Sequence, residues 1–381
     1  MLKVMTVLGT RPEGIKMAPV IQALNQSTQF ESVFVNTAQH REMLDQVLEL
    51  FHIVPDYDLN IMQNGQSLEQ LTSRIFLGLS PIIEQEKPDL VLVHGDTTTT
   101  FIGAYASFLK QVPVAHVEAG LRTNNMKSPF PEEGNRQLVG RIADYHFSAT
   151  AANRENLLQE NVQNEKIAVV GNTVIDALLT VANKPYTFPE HLEPIFQSGK
   201  KTILLTTHRR ENLEELQHVY KAINRLVTEN DDIQIVFPVH KNPVIRKKVT
   251  ETIEDTSRVH LIEPLDYENF VHVMKHSYLV ITDSGGIQEE APALGKPVLV
   301  ARNTTERPEG VEAGTLKLVG TSEDMIYKEA SQLLNDPQAY HEMSQIKNPF
   351  GNGESAQAIL QQIQEWKAPA LNSKQKSESI T

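Results

Sequence analysis

Along this chain, short apolar runs alternate with longer stretches whose apolar residues recur at helical spacing. That alternation specifies parallel sheets covered by helices, because a strand buried on both faces is apolar throughout and each parallel crossover needs a helix. In the first half the expected strands are 3–8, 32–36, 90–94, 112–117, 145–148 and 167–169, with helices at 15–25, 41–51, 68–86, 98–109, 132–142 and 151–159. A stretch at 184–201, rich in proline and without periodicity, reads as a surface connection. A second series follows, with strands at 202–206, 233–239, 259–262, 278–281, 298–300 and 316–319. The expected fold class is therefore α/β, two Rossmann-like doubly wound domains facing across a cleft, since 381 residues exceed what one core usually serves. The domains are set at 1–169 and 170–367, with the last helix packing back on the N-terminal domain. Residues 368–381 lack apolar side chains at packing intervals and are expected as a disordered tail.

Charge narrows the partners. The 48 acidic residues against 35 basic ones give a formal net charge of -13, which repels nucleic acid and anionic membranes at long range. A small anion stays admissible, because local cations and backbone N–H groups prevail within a Debye length. The absence of cysteine excludes disulfides, a thiolate nucleophile and cysteine-ligated metal centres. Residues 1–8 form a short apolar run with no basic leader, and no stretch approaches the ~20 apolar residues of a membrane span. The expected location is cytoplasmic. Neither G-x-G-x-x-G after the first strand nor G-x-x-x-x-G-K-[ST] occurs, so a redox dinucleotide or ATP has no evident seat.

The residues that carry chemistry cluster where strands give way to helices, the place at which ligands bind in open α/β sheets. Gly9-Thr10-Arg11-Pro12-Glu13-Gly14-Ile15-Lys16 follows the first strand. Gly9 suits a tight turn and Pro12 a first helical turn, while Arg11 and Lys16 oppose the helix dipole, which favours an anion over stability. The alternative is plain surface charge on a loop. His94-Gly95-Asp96 and His116-Val117-Glu118 end two strands and set two histidines and two carboxylates on one rim. Spacing leaves three readings open there: a zinc or manganese site, caps for the adjacent loops, or a group of proton-handling carboxylates. Pro131-Glu132-Glu133 opens a helix, where acidic residues suit the dipole and Glu132 with Arg136 reads as a surface i,i+4 pair.

In the second half, His208-Arg209-Arg210-Glu211-Asn212 ends the first strand of its series, and its potentially cationic side chains suit an anionic group. Thr282-Asp283-Ser284-Gly285-Gly286 runs from a strand into a helix, so the N–H groups of Ser284, Gly285 and Gly286 can approach a pyrophosphate. Glu290, about a turn further on, can accept both hydroxyls of a ribose. Against this stands an ordinary glycine turn. Arg307, within Thr305-Glu306-Arg307-Pro308-Glu309, is a further phosphate candidate.

Taken in order, a set of motifs resembles bacterial non-hydrolysing UDP-N-acetylglucosamine (UDP-GlcNAc) 2-epimerases. They are Gly-Thr-Arg-Pro-Glu at 9–13, His-Gly-Asp-Thr at 94–97, His-Val-Glu-Ala-Gly-Leu-Arg at 116–122 and Pro-Glu-Glu at 131–133. His-Arg-Arg-Glu-Asn at 208–212, Asp-Ser-Gly-Gly at 283–286, Glu-Glu at 289–290 and Thr-Glu-Arg-Pro-Glu-Gly at 305–310 continue the set over nearly the whole chain. The resemblance implies a glycosyltransferase-B type arrangement, a homodimer, and reversible conversion of UDP-GlcNAc into UDP-N-acetylmannosamine (UDP-ManNAc), a precursor of cell-wall and capsular polysaccharides. It implies that Arg11, Lys16, Ser284, Gly285, Gly286, Glu290 and Arg307 hold UDP, with Phe270 near the uracil. Asp96, Glu118, Glu132 and His208 match the catalytic group. Gln39, Glu42, Glu132, Arg209 and His240 match a site for a second UDP-GlcNAc that acts as allosteric activator. Leu265 stands at a uracil contact where some relatives have Gln, and in the activator site Gly65 and Glu42 stand where a relative has Arg and Gln. No cofactor and no metal are expected.

Overall fold

The computed structural model describes residues 1–63, 65–209 and 214–378, with side chains as far as Trp366. Arg210, Glu211 and Asn212 of the His-Arg-Arg-Glu-Asn loop lie outside the described residues. The chain forms two compact units, one of Met1–Ala177 with the chain from Gly351, the other of Leu178–Phe350. The division falls inside the helix Thr173–Ala182, a little beyond the expected boundary at 169 and 170. Asp176, in the first half of that helix, accepts the Ala356 N–H at 2.8 Å and so joins the first unit to its returning segment.

The first unit carries a sheet of parallel strands β1 (Leu2–Leu8), β2 (Phe30–Asn36), β3 (Tyr57–Asp58), β4 (Leu90–His94), β5 (Val114–Val117), β6 (Tyr145–Ser148) and β7 (Ile167–Val169). Their spatial order is β3-β2-β1-β4-β5-β6-β7. The second unit carries β8 (Lys201–Thr206), β9 (Ile233–Pro238), β10 (Val259–Ile262), β11 (Leu279–Thr282), β12 (Val298–Val300) and β13 (Leu316–Leu318), ordered β10-β9-β8-β11-β12-β13. Every expected strand is present, its ends shifted by two residues at most. Met5, Val7, Val91 and Val93 in one core and Ile203, Leu205, Ile235 and Ile281 in the other are sealed from water. Burial on both faces is why these strands are continuous apolar runs. Beyond the sequence reading, the helix Thr173–Ala182 follows β7, and two smaller elements differ as well. β3 is a two-residue edge strand, and Glu193–Gln197 is a short helix started by Pro194 within the connection at 184–201.

The strand order reverses at one place in each sheet, between β1 and β4 in the first and between β8 and β11 in the second. Connections leave such a point in opposite directions and open a crevice beyond the strand ends. The loops there carry Gly9 and Thr10, Gly95 to Thr97, His208 and Arg209, and Asp283 and Ser284.

The helix Ser355–Glu378 packs along Arg11–Gln26 in the first unit. Trp366 stacks on Tyr145 with ring centroids 4.4 Å apart, and its indole N–H donates to the Glu165 carbonyl at 3.0 Å. From 368 to Glu378 the backbone continues this helix, where the composition pointed to a disordered tail, and 379–381 lie outside the described residues. A helix already nucleated upstream is extended at little cost by residues such as Lys, Gln and Glu. No helix among the described residues is long and apolar enough to cross a membrane.

Candidate active site

The helix Arg11–Gln26 opens on a sealed carboxylate. Glu13, 2% exposed, accepts the N–H groups of Gly9 at 3.1 Å and Thr10 at 2.8 Å with one oxygen. With the other it accepts the hydroxyls of Thr97 at 2.8 Å and Thr100 at 3.0 Å. Burial holds its pKa above the ordinary carboxylate value, against the pull of these donors. Glu13 thereby ties the loop after β1 to the loop after β4 that carries Asp96. Gly9 answers to close approach rather than to a special turn: a Cβ there would lie 1.9 Å from Thr37 Oγ1. Arg11, half-buried, begins the helix directly after this loop.

Lys16 pairs with Glu118, which also accepts from Asn172 Nδ2 at 3.2 Å. Glu118 sits at φ 63°, in the left-handed region, at a cost of roughly 1–2 kcal/mol for a residue with a Cβ. Asp96 pairs with Arg136, whose other guanidinium nitrogen donates to Glu133 at 3.0 Å. Arg136 is thus buried between Asp96 and Glu133, which corrects the expected surface pair with Glu132. Glu133 also accepts the N–H groups of Thr123 and Asn124 at 3.0 and 3.1 Å. It is the structural member of its pair. Glu132 keeps a buried Oε2 without a hydrogen-bond partner among the described residues.

His94 and His116 are 3% and 0% exposed. Desolvation lowers them to about 4 and about 3, so both are neutral at physiological pH. His116 Nε2 lies 2.7 Å from the Gly95 carbonyl and donates to it, bracing the Asp96 loop from beneath. His94 Nε2 is 3.8 Å from Glu118 Oε2. Among the described residues no group of three or more His, Asp or Glu could hold a metal ion. Of the residues matched by resemblance to the activator site, Gln39 accepts the N–H and hydroxyl of Thr99 at 3.3 and 2.9 Å, and Glu42 is exposed in the first turn of Arg41–Leu50.

In the second unit the helix Gly285–Ala293 begins after β11 with Ser284 at its N-cap, whose hydroxyl does not cap it. A Cβ at Gly285 would lie 3.6 Å from Arg209 Nη2 and 3.8 Å from Arg307 Nη2, and one at Gly286 would meet nothing within 4 Å. Two guanidiniums therefore converge on the positive end of a helix, an arrangement reconciled by a bound anion. Carboxylates hold them from behind. Arg307 pairs with Glu289, and Arg209 Nη1 is 3.6 Å from Glu306. Arg302 grips Glu306 through two bonds of 2.7 and 2.9 Å, which lowers that carboxyl to about 2. Arg209, matched by resemblance to the activator site, thus stands with Gly285 and Arg307.

Glu290 accepts from the Tyr267 hydroxyl at 3.3 Å, and the half-buried Phe270 shares the helix Tyr267–His276. The exposed ring of His240 has its centroid 6.3 Å from that of His208. His208 itself is held by Asp283, a buried carboxylate to which the sequence reading gave no role. Glu13 and Asp283 are the two hubs that motif reading passes over. Their only signal was a place inside a quoted motif.

Comparison with known proteins fits this geometry. The family model for UDP-N-acetylglucosamine 2-epimerase matches residues 22–364. The UDP-N-acetylglucosamine 2-epimerase of Bacillus subtilis (strain 168) is 55% identical over 364 residues, covering 95% of each chain. A crystal structure from Listeria monocytogenes superposes with a TM-score of 0.92 at 50% identity over 97% of each chain. The UDP-GlcNAc 2-epimerase of Neisseria meningitidis, solved bound to UDP-GlcNAc, gives 0.85 at 47% identity over 96% of this chain and 100% of its own. The glycotransferase of kitacinnamycin, 12% identical with a TM-score of 0.58 over 94% of this chain and 98% of its own, shares the fold alone, and the architecture is of the glycosyltransferase-B type. Matched by the family model over most of its length and more than half identical to the Bacillus enzyme, the chain belongs to the UDP-N-acetylglucosamine 2-epimerase family.

Proposed function

We propose that this chain interconverts UDP-GlcNAc and UDP-ManNAc without net hydrolysis, by eliminating UDP and adding it back. The C2 proton of the sugar is not acidic, because no carbonyl adjoins C2 in the ring. Departure of UDP changes that. The C1–O bond breaks with its electron pair going to the diphosphate, and C1 becomes electron-poor. A base takes the C2 proton, and the electrons of that bond close the C1=C2 double bond of 2-acetamidoglucal. UDP then re-forms its bond to C1 while an acid delivers a proton to the opposite face of C2, inverting that carbon.

In this reading Asp96, Glu118, Glu132 and His208 handle protons, each positioned acid or base being worth about 10²- to 10⁴-fold in rate. Ser284, Gly285, Gly286 and Arg307, with Arg11 and Lys16, hold the departing diphosphate, and Glu290 and Phe270 the uridine. The observation that carries it is the contrast between the two switch points. One gathers carboxylates, the strained Glu118 among them, and the other gathers backbone N–H groups under two guanidiniums. The first set suits proton transfer at C2 and the second suits the leaving diphosphate. The ligand of the Neisseria meningitidis relative supports that choice of substrate.

A second UDP-GlcNAc acts as activator at Gln39, Glu42, Arg209 and His240, and the active form is a homodimer. Support for the dimer comes from an apolar face on the first unit. Leu77 on the helix Leu68–Glu86, Tyr105, Phe108 and Leu109 on Thr98–Leu109, and Leu138 on Glu132–Ile142 are exposed on neighbouring helices. Such a patch is one that a second copy covers. Incubation with UDP-GlcNAc in D₂O tests the chemistry. Deuterium at C2 of both recovered nucleotide sugars is expected, and free ManNAc with UDP as the main products would overturn the reading in favour of a hydrolysing enzyme.

A further inference from the structure

His208 is 41% exposed, yet its ring is not free to turn. Asp283, fully buried, opens the loop after β11, the strand next to β8. Its Oδ1 lies 3.0 Å from His208 Nδ1, while Oδ2 accepts the backbone N–H groups of His208 and Arg209, each at 2.9 Å. The carboxylate is itself fixed: the Asp283 N–H donates to the Thr206 carbonyl at 3.3 Å, and the Thr206 and Thr282 hydroxyls beside it meet at 2.6 Å.

An ionised carboxylate only accepts, so the hydrogen between the two side chains belongs to Nδ1. We propose that Asp283 is a positioning residue for epimerisation, holding His208 in its Nδ1–H form so that Nε2 is the nitrogen that exchanges a proton with bound substrate. The same oxygen that receives the His208 N–H receives that of Arg209, whose guanidinium lies beside Gly285. Asp283 thus fixes the His208 ring through one oxygen and the backbone of Arg209 through the other, and only the first contact depends on its charge. The inference rests on the reading that His208 serves the reaction.

The full-length protein tests it through Asp283→Asn, His208→Ala and the double variant. Asparagine keeps an oxygen for the two backbone N–H groups but turns its NH₂ toward Nδ1, which must then accept, leaving the proton on Nε2. In Asp283→Asn, kcat is expected to fall on the order of 10²-fold, while UDP affinity, measured by calorimetry, stays unchanged. The ¹⁵N spectrum of His208 is expected to change from the Nδ1–H to the Nε2–H pattern. Added to His208→Ala, Asp283→Asn is expected to cost nothing more, because the two act as one unit. Full activity in Asp283→Asn, or single losses that multiply in the double variant, would overturn the inference and leave His208 in its role. Full activity in His208→Ala would overturn that role and this inference together. Should Asp283→Asn lose its fold, the unmodified protein decides: an Nε2–H pattern at His208 overturns the inference.

Discussion

His94 and His116, which spacing alone admits as metal ligands, lie buried beside the carboxylates and are neutral at physiological pH. An unfolded histidine takes up a proton near pH 6.5, whereas burial defers this to about 4 for His94 and about 3 for His116. Below about pH 6.5 the unfolded chain therefore binds more protons than the folded one, and stability falls as pH falls toward about 4. Urea denaturation at stepped pH checks this. The midpoint is expected to drop between about pH 6.5 and pH 5, ahead of the range where most carboxylates titrate. His116→Gln, which keeps a donor for the Gly95 carbonyl but cannot titrate, is expected to flatten that slope, and an unchanged slope would remove His116 from the account. The metal and proton-handling readings of this rim could not be separated from spacing, because spacing does not show what a side chain reaches. Glu13 gathers Thr97 and Thr100 from 84 and 87 positions away, and Asp283 holds His208 across 75. Partners so distant leave no trace in a local pattern.

In the proposed reading the helix Gly285–Ala293 gives up stability at its own start in favour of binding. Alanine at position 285 favours the helix by up to about 1 kcal/mol over glycine, but its methyl would sit 3.6 and 3.8 Å from the Arg209 and Arg307 nitrogens, where an anion belongs. Gly285→Ala is thus expected to melt no lower than the parent while binding UDP about tenfold more weakly or worse, a loss of about 1.4 kcal/mol or more. Equal UDP affinity by calorimetry would place the diphosphate elsewhere. Elements with continuous apolar runs, such as β4 and β9, were legible because two-sided burial writes itself into every position. β3 was not, since two residues at a sheet edge need no apolar run. That the candidate loops follow strand ends was legible from strand-to-helix order. The pairing of Arg136 with Asp96 was not, because the i,i+4 rule describes one helix face and nothing beyond it.

The exposed apolar face around Phe108 bears on the assembled molecule. Phe108→Glu sets a charge at the centre of that face, which a subunit interface does not accommodate. Light scattering is expected to report about twice 42.7 kDa for the parent and one 42.7 kDa chain for the variant, whereas a variant of undiminished mass would move the interface elsewhere. The two units also differ in how the gene spells them. The second is one uninterrupted stretch, while the first is written in two instalments, its closing helix beginning only at Ser355. On the ribosome, Tyr145 and Phe147 must therefore wait uncovered for Trp366 until the whole second unit has emerged. The part begun first is finished last, and a stop codon just ahead of Ser355 would leave a complete second unit joined to an unroofed first.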